Sequence, residues 1–254
     1  MINWPRRTLV FALFVLTDYL RSSRFLVEFL VGFAVYGLFL FPQGRDPFDP
    51  PRFFSVSGLF MLVQVAYSTW VIVGMGRRAQ GYVILSRPLG RGGYLVGHYL
   101  ASVAWAVVLY LGLNLVVFAV YLAAKNPIDL SVEMWLLGTL PLVLNAAIVA
   151  AYVTLITPLV LTSWLRLVAL ALLALALSTE VGVFSSLEVG WVLVRLHEVV
   201  GFILLPAAAG FGLAVQRSYT PASAWILGSQ LLLVLALLAL AVFAFSRRET
   251  ILTS

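Results

Sequence analysis

From Ala224 to Phe245 the chain carries no charged side chain, and the run stops at Arg247 and Arg248. So long an apolar stretch has few ways to fold. Roughly 20 such residues wound as a helix match the hydrocarbon thickness of a bilayer. Inside lipid every backbone N–H and C=O must be paired within the segment, so the run reads as a membrane-spanning helix. The rest of the chain repeats the pattern: 63% of its 254 residues are hydrophobic and 10% are charged, and the mean hydropathy is +1.06. Those values exclude a soluble domain with a polar surface. The sequence predicts an all-α polytopic membrane protein, a single transmembrane domain over residues 1–254.

Turn-forming and charged residues divide the chain into six predicted spans. The N-terminal segment has an apolar centre, Leu9 to Leu16, too short to span and followed by Asp18, Arg21 and Arg24. It reads as an interfacial elbow helix over residues 1–24, with Trp4 and the arginines at headgroup level. The first span covers about Phe25 to Phe41, and the second about Phe53 to Gly74. The third runs from about Val96 to Ala124, the fourth from about Met134 to Leu161, tilted or kinked and containing Pro141 and Pro158, the fifth from about Leu167 to Ser178, and the sixth from Ala224 to Phe245. Glu180, Glu188, Arg195, His197 and Glu198 interrupt the part between the last two. That part, residues 179–223, reads as an outer re-entrant region in which two short helices turn around Pro206.

Charge sets the orientation. In this arrangement eleven basic residues and two acids fall on one side, against five basic residues and seven acids on the other. Basic residues near spans are retained on the cytoplasmic side. Both termini are therefore expected in the cytoplasm, in a multi-pass protein of the cell membrane. The net charge of +6 points to anionic lipid headgroups rather than nucleic acid, because it sits beside apolar runs. The preference for arginine over lysine suggests a prokaryotic origin. With no cysteine there is no thiolate metal site and no thiol nucleophile. The single lysine, Lys125, follows no glycine-rich phosphate loop, so any ATP and Mg must be held by another chain.

Residues 76–96 form the most basic loop, with Arg77, Arg78, Arg87 and Arg91 and no acid. Ala79 to Ser86 can wind into two helical turns, after which Pro88, Gly90, Gly92 and Gly93 are expected to forbid continuation. A short helix under the membrane, pinned by arginines at both ends, can insert Tyr82 and Leu85 into a groove on a soluble partner. The alternative is an ordinary basic loop that only sets topology.

The stretch from Leu85 to His98, LSRPLGRGGYLVGH, resembles a pattern frequent in permease subunits of type-2 ATP-binding cassette (ABC) exporters. That pattern is Leu-Ser-x-Pro-x-x-Arg, two or three residues, then an apolar pair and Gly-Lys. His98 stands where lysine is common, and Gln80-Gly81 where many members have a glutamate followed shortly by glycine. The resemblance implies an elbow helix, six spans, a cytoplasmic coupling helix between the second and third, and a re-entrant helical hairpin before the last. It also implies two separate ABC ATPase subunits carrying ATP and Mg, and a second permease copy or a sibling permease. Contact with the ATPase would then fall on Arg77, Arg78, Tyr82, Leu85, Arg87 and Arg91.

Polar residues inside the spans are the other candidates. Gln64, Asn114 and Asn145 either line a substrate path or hydrogen-bond between helices. Glu28 is expected to face an inner cavity or to pair with Arg24, four residues earlier. Gly93 and Gly97 have GxxxG spacing but are expected to free the backbone for a turn. Trp105, Trp135 and Trp191 read as interface anchors. His197-Glu198 begins like HExxH, but the second histidine is missing, so no metal site is expected.

The function expected from these readings is a non-enzymatic permease subunit that exports an amphiphilic or hydrophobic substrate (lipid, drug or peptide). The rivals are an ion- or proton-coupled secondary transporter and an intramembrane enzyme.

Overall fold

A computed structural model describes residues 4–42, 44, 47–75, 89–177, 190–217 and 219–247. All regular structure among them is helical. The helices are α1 (Trp4–Arg21), α2 (Arg24–Phe39), α3 (Pro50–Met75), α4 (Gly90–Ala123), α5 (Val132–Ile156), α6 (Ser163–Leu177), α7 (Gly190–Gln216) and α8 (Ser223–Arg247). Five of them, α3, α4, α5, α7 and α8, are long and apolar enough to cross a membrane, and the count is six if α1 and α2 form one bent pair. The chain is thus a multi-pass membrane protein in its helical content.

Local chemistry explains most helix ends. Pro50 opens α3, where its missing N–H costs no hydrogen bond. Just before it, the Asp49 carboxylate accepts from Arg52 N at 3.5 Å. Ser131 caps α5 by accepting from Met134 N at 3.2 Å, with Glu133 in the first turn. At the other end of α5, Thr157 is held extended by the following Pro158 (ψ 152°), and the helix stops at Ile156. The fourth span expected to run on to Leu161 is therefore shorter, because Pro158 ends it rather than kinking it. Between α1 and α2 the chain turns by 75° through Ser23, which takes a left-handed conformation (φ 59°).

Two further expectations are corrected. The third span does not wait for Val96: α4 begins at Gly90, with Gly92 and Gly93 in its first turn, while Gly90 itself is left-handed (φ 70°). A helical glycine costs only about 1 kcal/mol, and close packing against α1 and α8 offsets it. Likewise α7 is one helix that runs through Pro206, not two short helices turning there. A proline removes one hydrogen bond, and a helix held by neighbours continues past it. By length, Val194–Gln216 belongs with the crossing helices. By contrast α6 has 15 residues, about 22 Å of helix. Residues 178–189, which follow it, lie outside the described residues.

Helix α5 forms the centre of the bundle. In its most apolar stretch 72% of the residues are buried within the chain, against 17% for α7 and α8, so those two leave most of their surface to lipid. At one end of the bundle the α2–α3 and α4–α5 loops meet, with Asn126 Nδ2 donating to Gly44 O at 3.0 Å and Phe48 N to Pro127 O at 3.4 Å. The Tyr219 hydroxyl, in the α7–α8 connection, donates to Leu137 O near the same end. Burial pushes that phenol above its ordinary pKa, which keeps the donor protonated. At the opposite end Arg91, in the first turn of α4, donates from Nη1 to Ser246 O in the last turn of α8 at 3.1 Å. The arginine-rich loop leaves α3 and enters α4 at that end.

Candidate functional site

Side-chain polarity inside the bundle is concentrated in two places. The first is a seam between α2, α3 and α4. Glu28 is buried on α2, and its carboxyl oxygens accept from three neutral donors. Tyr19 of α1 donates its hydroxyl to Oε1, while Oε2 accepts from Gln64 Nε2 of α3 at 2.9 Å and Trp105 Nε1 of α4 at 2.6 Å. Four helices are joined through one side chain. Arg24 is exposed, and the one ion pair among the described residues is Arg195–Glu198, at 2.7 Å on the surface of α7. The expected Glu28–Arg24 pairing is therefore replaced. The bend after α1 brings Tyr19 onto the carboxyl, and a neutral donor can enter the apolar interior at lower desolvation cost than a guanidinium.

The same seam continues one tier further along. Tyr36 lies eight residues after Glu28, and Ser57 seven before Gln64, so two helical turns separate the tiers on each helix. Asn114 belongs here. The Tyr110 hydroxyl faces Ser57, Asn114 and Thr139, and that of Tyr36 faces Ser57 and Tyr110. All five are buried, and none of their side-chain hydroxyl or amide groups closes a hydrogen bond of normal geometry among the described residues.

Asn145 sits in a different set, between α5, α7 and α8. Its Nδ2 donates to Ala207 O at 2.9 Å, just past Pro206, and its Oδ1 accepts from Gln230 Nε2 at 2.7 Å. The same Gln230 amide also donates to Pro141 O at 3.2 Å. Gly210 makes this possible: a Cβ there would lie 1.9 Å from Gln230 Nε2. Gln64 and Asn114 thus occupy successive tiers of one seam and Asn145 a separate set, each facing other helices of the chain.

At the arginine-rich end, α1 lies along α4. A Cβ on Gly97 would come within 2.4 Å of Phe11 Cδ1, and one on Gly93 within 3.2 Å of Thr8 Oγ1. Gly93 and Gly97 are a packing seam within the chain rather than a turn, as small residues at four-residue spacing allow. His98 is buried on the same face, with its Nδ1 2.9 Å from Tyr94 O and its ring edge-on to Phe11 at 5.2 Å. Arg77, Arg78, Tyr82, Leu85 and Arg87 lie outside the described residues, so of the expected partner-contact set the structure describes Arg91. Trp105 is not an interface anchor; its indole is buried and committed to Glu28. Trp135 is half-buried against Phe118, and the side chain of Trp191 is outside the described residues.

The sequence reading assigns no role to Tyr19, Tyr110, Gly210 or Gln230, and it puts Trp105 at the interface rather than in the Glu28 group. For Gln230 and Trp105 a signal existed: each carries a polar group inside an apolar run and so needs a partner on another helix. Among the described residues no three His, Asp or Glu converge as a metal-ligand group. Compared with known protein families, curated proteins and solved structures, the chain finds no match in any of the three.

Proposed function

We propose that this chain is the membrane-spanning subunit of a type-2 ABC exporter in the cytoplasmic membrane, with both termini cytoplasmic, working as a dimer with itself or a sibling permease. ATP and Mg belong to two partner ATPase chains. The observation that carries the reading is the Leu85–His98 sequence, which leads out of the arginine-rich loop into the first turns of α4, a span-length helix that follows another, α3. Among the described residues the helices long and apolar enough to cross number six when α1 and α2 are taken as one bent pair, and an even number is compatible with both termini on one side. A rigid-body movement of the ATPases, applied to residues 76–96 and to α1 as an elbow, passes to α4 through the Gly93–Gly97 seam and to α2 and α3 through Glu28. The cargo is amphiphilic or apolar, because Glu28 is the one charged side chain buried among the described residues.

Co-expression with an ABC ATPase, sought first in the neighbouring reading frames, tests the reading. Supporting results are co-purification of the two chains, loss of it in Arg77→Glu/Arg78→Glu, and transport in liposomes that needs ATP and the ATPase. Transport by the purified permease without any ATPase overturns it. One observation favours a second reading, an ion-coupled carrier: Glu28 is an acid buried among spans. Transport that collapses with the proton gradient at constant ATP, and is lost in Glu28→Gln, selects the carrier.

A further inference from the structure

A lateral groove of about 530 Å³ lies between the ends of α3 and α5 and the start of α6. That volume is within the range of about 300–1,000 Å³ for small-molecule sites. Its walls include Trp70, Ile156, Leu167 and Leu170, and its polar lining groups are Ser163 and Arg166. Trp70, Leu167 and Leu170 are each more than 40% exposed, so the groove opens sideways from the bundle, where acyl chains lie, rather than into its interior.

Among the described residues, the charge in the groove is a single guanidinium. Arg166 Nη2 donates to Ser163 Oγ at 2.9 Å, while its Nε is shielded from solvent and has no hydrogen-bond partner among the described residues. A guanidinium offers five N–H donors in a fixed fork suited to a phosphate. The groove lies at the end of the bundle that carries Arg91 and the arginine-rich loop, the side on which anionic lipids are concentrated if the charge rule holds. A free anion would leave the apolar walls uncovered, and a neutral tail would leave the guanidinium unmatched. We infer that this groove binds one anionic phospholipid of that leaflet, with its phosphate on Arg166 and Ser163 and an acyl chain against Trp70, Leu167 and Leu170. The site requires that the bundle sit in a bilayer with its arginine-rich end on the anionic side, and does not rest on the export reading.

Native mass spectrometry of the detergent-solubilised full chain, titrated with phosphatidylglycerol or phosphatidylcholine of matched tails, reads the site directly. One basic contact near the surface is worth about 1 kcal/mol, so the intact protein is expected to favour phosphatidylglycerol roughly fivefold. Arg166→Gln removes that preference, Arg166→Lys keeps most of it, Leu170→Trp weakens both lipids, and Arg91→Gln at the same end leaves the preference in place. Equal binding of the two lipids by the unaltered chain overturns the inference, even if a variant fails to fold. So does an unchanged preference in Arg166→Gln, or displacement of the lipid by millimolar inorganic phosphate, which would mark a plain anion site.

Discussion

Trp105 Nε1 donates to Glu28 Oε2 at 2.6 Å, joining α4 to α2 through a carboxyl that is 5% exposed. Replacing Glu28 by alanine strands the Tyr19, Gln64 and Trp105 donors in an apolar interior and leaves a cavity. Hydrogen bonds between helices in lipid average only about 0.6 kcal/mol each, but unsatisfied buried donors cost more, so a loss of roughly 2–4 kcal/mol is expected. Glu28→Gln keeps an acceptor oxygen and is expected to lose less than half as much. Unfolding in graded denaturing detergent measures both, and an alanine variant as stable as the parent removes this group from any account of the fold.

The contact between α1 and α4 can be locked. A Cβ on Gly93 lies 3.2 Å from Thr8 Oγ1, which is compatible with a disulfide between cysteines at the two positions. The chain contains no native cysteine, so Thr8→Cys/Gly93→Cys is free of background. It is expected to oxidise readily, while a control pairing Gly93→Cys with the exposed Leu9→Cys is not. If the proposed coupling through α1 holds, the oxidised protein loses transport and regains it on reduction.

Gly210 and Gln230 form a second testable pair. Gly210→Ala drives a methyl into the Gln230 amide and should cost about 1–3 kcal/mol, as overpacking does. Gln230→Ala removes the obstacle together with its bonds to Asn145 and Pro141. The double variant is then expected to be more stable than the sum of the single losses predicts, by at least about 0.5 kcal/mol. Strict additivity in that cycle argues against the close approach of α8 to α7.

How far the fold can be read from the chain depends on whether a feature is set locally or by contact. The apolar runs from Pro50 to Met75 and from Ser223 to Arg247 announce themselves, because lipid demands internally paired backbone over a fixed length. Pro206 and Gly93 are harder. Either residue can end a helix or lie within one, and the choice was made here by neighbours: Asn145 of α5 donating to Ala207 O just past Pro206, and Thr8 of α1 against Gly93 in the first turn of α4. Glu28 shows the same limit in the candidate site. Arg24 is its helical neighbour in sequence, yet the partners come from residues 9, 36 and 77 positions away, brought together by the 75° bend at Ser23 and by packing across three helices.

Asn114 separates packing from function most cleanly. Its amide is fully buried with neither Nδ2 nor Oδ1 hydrogen-bonded among the described residues. An amide used only to hold helices together would be missed on removal, whereas replacing an unsatisfied buried polar group by an apolar one of similar shape is near neutral or stabilising. Asn114→Leu is therefore expected to match or exceed the parent in stability, within about 1 kcal/mol. Ser57→Ala and Thr139→Val, facing the same Tyr110 hydroxyl, should behave alike. Transport then decides what the polar tier is for. If it forms part of the substrate path, these variants lose transport while remaining folded; if all three transport at the parent rate, the tier is not part of that path. A clear loss of stability in Asn114→Leu would show instead that the amide has a structural partner in the folded protein.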